Sequence, residues 1–128
     1  MDGDGAQTYF LQRPEAWLDF PFGPDVYVFK VRDKMFGTLG WEQEVPRINL
    51  KCEPNQALIL RDVFEAVLPG YHMNKAHWNT VLLDGSIPIG EIERMIDHSY
   101  ALVVKKLPKS QRISLEIAYS KEVLYVAI

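Results

Sequence analysis

An α+β fold, with an antiparallel sheet packed on one face by two main helices, is what three features of the sequence predict. Short stretches alternating with period two follow one another between residues 26 and 52, and two longer stretches repeat apolar side chains at helical spacing. Tight turn signals separate the strands, and links that short join antiparallel neighbours rather than parallel ones.

Met1–Gly5, MDGDG, reads as a frayed terminus or an added remnant. Ala6–Arg13 predicts a short helix with Tyr9, Phe10 and Arg13 close to one face, ended by Pro14. Ala16–Gly23, AWLDFPFG, reads as an aromatic turn that plugs the core beneath the sheet. Val26–Val31 alternates cleanly and predicts a strand. Arg32 and Asp33 make a tight connection, Lys34–Leu39 is the partner strand, and Gly40 begins a second turn. Arg47–Cys52 alternates again, with Ile48, Leu50 and Cys52 on one face and Arg47, Asn49 and Lys51 on the other. These three strands form a meander.

Pro54–Leu68 predicts the first main helix, with proline suited to its opening turn and apolar residues recurring at helical spacing. Pro69 and Gly70 stop it, and Trp78–Asp84 reads as a further strand closed by Asp84 and Gly85. Ile89–Lys106 is the second main helix: Ile92, Met95, Ile96, Ser99, Tyr100, Leu102 and Val103 form its stripe. Glu91 and Glu93 near its start and Lys105 and Lys106 near its end match the helix dipole. Beyond Pro108, residues 110–128 fit a hairpin around Ser120 and Lys121 and fit a helix as well; the hairpin is the expectation taken forward.

A chain of 128 residues that is 48% hydrophobic and 24% charged has the size and composition of one globular domain over residues 1–128. The single cysteine, Cys52, cannot close an intramolecular disulfide, and no apolar signal region follows Met1, so a cytoplasmic protein is expected. No stretch reaches membrane-spanning length, so no membrane association is expected, and a monomer is the expected state. The net charge of −3 argues against binding nucleic acid through bulk electrostatics. That charge is unevenly distributed, at net +1 over residues 26–81 and +3 over 101–128, with acids concentrated elsewhere. Any basic face must come from those two blocks.

The functional signal concentrates in Pro69–Val81, PGYHMNKAHWNTV, a polar and aromatic approach to a strand. Arg47, Lys51, Lys75, His72 and His77 can contact phosphates or bases, Tyr71 and Trp78 can stack on a base, and Asn49, Asn74 and Asn79 can bond bases or sugars. The same residues can instead form a structural network, because asparagine and histidine beside a Pro-Gly turn often satisfy backbone groups the turn leaves unpaired. A third reading is a small-anion or protein-binding module centred on Lys51, Lys75, His77 and Trp78.

Enzyme chemistry has little to stand on. Cys52 falls on the apolar face, and no spacing orients it toward His72 or His77. There is no GxSxG, GxGxxG, GxxxxGK[ST] or HExxH. His72, His77 and Cys52 match no zinc-ligand spacing. No catalytic residue, metal or cofactor is therefore expected.

Residues 21–23 (PFG), 28–31 (VFKV), 34–36 (KMF), 48–52 (INLKC), 69–81 (PGYHMNKAHWNTV) and 97–103 (DHSYALV) together resemble the YjbR/MmcQ-like family of small bacterial proteins. The resemblance covers roughly residues 21–108. It implies an α+β fold similar to CyaY and frataxin, and a DNA-binding role through a double-wing arrangement of sheet and hairpins. The tail after Pro108 departs from that family's short ending.

Overall fold

The computed structural model describes residues 1–127, and among them a six-stranded, wholly antiparallel sheet carries its helices as the sequence predicts for an α+β fold. The strands are β1 (Ala16–Asp19), β2 (Tyr27–Val31), β3 (Lys34–Glu42), β4 (Val45–Lys51), β5 (Val67–Pro69) and β6 (Trp78–Leu82). They lie in the order β1-β2-β3-β4-β6-β5, so the predicted meander forms the centre and two short strands form the edges. The helices are α1 (Gly3–Leu11), α2 (Pro54–Val63), α3 (Ile89–Lys105), α4 (Lys109–Tyr119) and α5 (Lys121–Leu124). None of the described helices is long and apolar enough to cross a membrane.

The core follows from alternation on the central strands. Phe29, Val31, Ile48, Leu50 and Val81 are buried against Ile92, Ile96, Tyr100 and Val104 of α3, all within one apolar cluster. Phe10 of α1 stacks on Phe29, with ring centres 4.2 Å apart. Gly37 makes room for that ring, because a Cβ there would stand 2.2 Å from Phe10 Cε1. Any larger residue at position 37 must displace a buried aromatic that contributes about 2–3 kcal/mol.

Five local readings are corrected. The terminus is not frayed: Asp2 caps α1 by accepting from Gly5 N at 2.7 Å, and Gly3 packs beneath Trp41. The aromatic segment is not a core plug. Ala16–Asp19 pairs with β2, Trp17 donates to Arg32 O at 2.8 Å, and Phe22 is 66% exposed. Gly40 starts no turn; β3 continues to Glu42, and the reversal falls at Gln43 and Glu44, whose φ angles of 53° and 66° suit a two-residue hairpin.

The first main helix ends at Val63, because Phe64 turns extended and Val67 pairs with Val81 as an edge strand. The apolar run that suggested a longer helix serves two elements. The tail forms α4 and α5 rather than a hairpin, with Leu115 and Leu124 sealed in the core and a break at Ser120, where φ is 73°. Arg112 and Glu116, at 3.1 Å, add an i, i+4 pair that a helix alone provides. Ile128, the last residue of the predicted hairpin, lies outside the described residues.

Candidate functional site

The polar row on β4 is divided by its partners. Arg47 sits opposite Gly40 and Leu82 and forms an ion pair with Glu42 at 3.2 Å. Asn49 is held in a three-strand network, donating to Thr38 Oγ1 at 3.0 Å and accepting from Thr80 Oγ1 at 2.5 Å. Thr38 and Thr80 are buried, so Asn49 serves to satisfy their hydroxyls within the sheet. Lys51 differs: no carboxylate lies within ion-pair distance of it among the described residues.

The loop between β5 and β6 is likewise part structure and part surface. Asn79 is 2% exposed, accepts from Arg61 Nε at 2.7 Å and donates to Ala57 O at 3.4 Å, so it locks α2 to β6. Asn74 shapes the turn, its side chain accepting from Ala76 N and its carbonyl from His77 N. Asn79 is thereby sealed inside the fold, while Asn49 is half-buried in its network and Asn74 stays exposed with its side-chain oxygen in the turn. Arg61, absent from the sequence-based candidates, fastens the loop by donating to the carbonyls of Lys75 and Trp78. Gly70 N donates to Trp78 O at 2.9 Å, and a Cβ on Gly70 would come within 2.8 Å of Trp78. Only glycine permits that approach.

What this bracing leaves in solvent includes Tyr71, His72, Asn74, Lys75 and His77, all exposed, with Trp78 half-buried opposite Lys51. The Tyr71 and His72 rings lie 4.0 Å apart, and His72 holds a φ of 58°. His77 O accepts from Cys52 N at 2.8 Å, which ties the loop to the end of β4 and brings its exposed residues to the Lys51 end of the sheet.

Antiparallel topology brings more lysines to that end. It holds the β2–β3 turn, the last residue of β4 and the β5–β6 loop. Ser99 of α3 joins them: it donates to Phe36 O at 2.5 Å and accepts from Lys51 N at 2.9 Å. The rest of α3 runs on to Lys105 and Lys106. Desolvation, and then the positive charges of Lys106 and Lys34, hold the Lys51 ammonium below the usual lysine range. Lys34 and Lys106 also lack a carboxylate partner among the described residues. Sequence reading missed both, since they are distant in the chain and converge only through the fold. Cys52, next to Lys51, is buried as its place on the apolar face predicts, and burial pushes its thiol up to about 11.

Similarity to known proteins agrees with this architecture. The YjbR family profile matches residues 11–102. Over 104 residues the chain is 38% identical to the uncharacterized protein YbdF of Escherichia coli O157:H7, covering 81% of this chain and 85% of that protein. It is 41% identical over 83 residues to the uncharacterized protein YjbR of Escherichia coli K12, covering 65% and 70%. Among solved structures, a Deinococcus radiodurans DUF419 domain matches with a TM-score of 0.82 at 33% identity, covering 89% of this chain and 87% of that one. A Pseudomonas syringae protein matches with a TM-score of 0.70 at 32% identity, covering 80% and 98%. With residues 11–102, most of its length, matched by the family profile, the chain belongs to the YjbR family.

Proposed function

We propose that the protein binds duplex DNA through the lysine end of its sheet, as a cytoplasmic, monomeric binding protein rather than an enzyme. The observation that carries this reading is the convergence of Lys34, Lys51 and Lys106, from three elements, without a carboxylate partner among the described residues. Like charges gathered on a folded surface cost free energy that an anionic partner returns. A duplex presents phosphates at regular spacing and suits a group of lysines distributed over a face. Exposed Lys75, His77 and Tyr71 extend that face along the β5–β6 loop.

The test is salt-dependent binding to random duplex at low ionic strength. Lys51→Ala with Lys75→Ala should weaken binding and reduce the slope of log affinity against log salt by about 0.9 per lost phosphate contact. Binding and slope unchanged in the double variant would exclude this face.

A further inference from the structure

We propose that the cavity between α2 and α3 binds an α-amino acid with an apolar side chain, its carboxylate held by Arg94, its ammonium by Glu91 and its side chain on the cavity floor. The cavity has a volume of about 510 Å³, and its floor is made by Leu50 and Val81 of the sheet, Leu60 of α2, and Met95 and Leu102 of α3. That volume is within the range of small-molecule sites, roughly 300–1,000 Å³, which combine apolar walls with a few polar groups. Glu91, Arg94, Met95, His98 and Leu102 follow one stripe of α3, so the charged pair and part of the apolar floor share a wall.

The head group follows from which polar groups of that wall and rim are already committed. Leu50 faces the floor, so alternation along β4 turns the Lys51 side chain to the opposite face of the sheet. Glu53 caps α2, accepting from Asn55 N at 3.2 Å and Gln56 N at 3.0 Å. Both nitrogens of His98 are engaged: Nε2 accepts from Glu53 N at 3.3 Å, and Nδ1 donates to Ala127 O at 3.2 Å. Asn79 is held by Arg61 and Ala57, and Cys52 is a buried thiol. Glu91, Arg94 and Gln56 remain. Glu91 and Arg94 approach only to 4.0 Å, too far for a hydrogen bond, and their side chains, 39% and 73% exposed, stand at the mouth.

A cation and an anion side by side, both open, above an apolar floor select a zwitterion with an apolar tail. An exposed pair at that separation contributes little, so a ligand displaces it at small cost. Arg94 offers a carboxylate its two-pronged guanidinium, and Glu91, thereby released, accepts from the ammonium. A bare carboxylate would meet Glu91 and Glu53 with no charge to offset them, and a bare amine would meet Arg94 in the same way. The proposal goes beyond DNA binding and uses none of the lysines on which that reading rests.

The experiment uses the full chain without DNA and three probes with one carbon skeleton: L-leucine, 4-methylpentanoate, which lacks the ammonium, and 3-methylbutylamine, which lacks the carboxylate. Binding is read from thermal melting and from the Met95 methyl resonance. L-leucine should raise the melting temperature saturably and shift the Met95 signal, and each analogue should bind about tenfold more weakly or less. Arg94→Gln should lower L-leucine affinity about tenfold and leave 3-methylbutylamine no weaker. Glu91→Gln should lower L-leucine affinity by a similar factor and leave 4-methylpentanoate no weaker. Leu102→Trp, which fills the cavity, should abolish binding of every probe. L-leucine binding no tighter than both analogues, L-leucine affinity indifferent to Arg94→Gln or to Glu91→Gln, or no response of Met95 to L-leucine would each overturn the proposal. Because no duplex is present, failure here leaves the DNA reading standing, and failure of the DNA test leaves this one standing.

Discussion

At one end of the sheet the β2–β3 turn, the last residue of β4 and the end of α3 gather Lys34, Lys51 and Lys106; at the other, the β3–β4 hairpin and the connection after β6 hold Glu42, Glu44 and Asp84. The ends also differ in how they are held. Ser99, fully buried, ties the lysine end to α3 through two hydrogen bonds to backbone. The carboxylate end rests on solvent-facing contacts, such as Ser86 donating to Asp84 at 2.6 Å and Arg47 meeting Glu42 at 3.2 Å. A chain with net charge −3 thus gathers three lysines at one end, where Asp33 of the β2–β3 turn and Glu53 after Cys52 also stand. Glu42 and Lys51 are nine positions apart in sequence, yet β4 carries them to different ends.

The largest expected difference between the ends is in stability. Ser99→Ala leaves the Lys51 N–H and the Phe36 carbonyl without their shared partner in a buried site, which costs about 2–4 kcal/mol. Ser86→Ala, at the exposed carboxylate end, should cost less than about 0.5 kcal/mol. Urea unfolding of the two variants measures both. Equal losses would mean that the lysine end is not anchored through Ser99.

Much of this architecture is legible in the sequence where side-chain period is long enough to speak. Strands β2 and β4 and the stripe of α3 declare themselves. Strands β1 and β5 do not, because three or four residues cannot establish alternation, and Val67 reads equally well as the last turn of a helix. ISLEIAYS satisfies either period, and the choice is made by Leu115 and Leu124 reaching the core, a tertiary fact.

At the site, alternation correctly placed Asn49 among polar neighbours on β4, but a face does not reveal a partner. Thr38 and Thr80 come from the two flanking strands, so the network is visible only once register is known. The same holds for Lys106, whose sequence setting suggests only a match to the helix dipole. Lys51 was readable, whereas its companions were not.

A smaller effect tests whether the lysines sense one another. Lys34→Ala with Lys106→Ala should raise the Lys51 pKa toward the ordinary lysine value, with the part due to desolvation remaining. The stability consequence has a definite sign. A depressed folded-state pKa means that the unfolded chain binds more protons in the window between that value and 10.5, so stability rises with pH there. Removing Lys34 and Lys106 should flatten that rise. Titration of the Lys51 side-chain resonances by NMR measures the shift, and no change would remove the mutual repulsion on which the lysine end is argued.

The smallest effect belongs to the carboxylate end. Gln43 and Glu44 both hold positive φ, a conformation that asparagine and glycine adopt at lower cost. Gln43→Asn with Glu44→Gly should therefore stabilise the protein by about 0.5–1 kcal/mol, moving the urea midpoint upward at constant slope. The substitution also deletes an acidic charge, which gives it a second use. Six residue steps along β4 separate Val45 from Lys51, about 20 Å of strand, and the Debye length at physiological salt is about 8 Å. Screening over that distance predicts unchanged duplex affinity in the hairpin variant at physiological salt. A gain there as large as the effect of a lysine substitution would mean that net charge, rather than the sorted lysine end, governs binding.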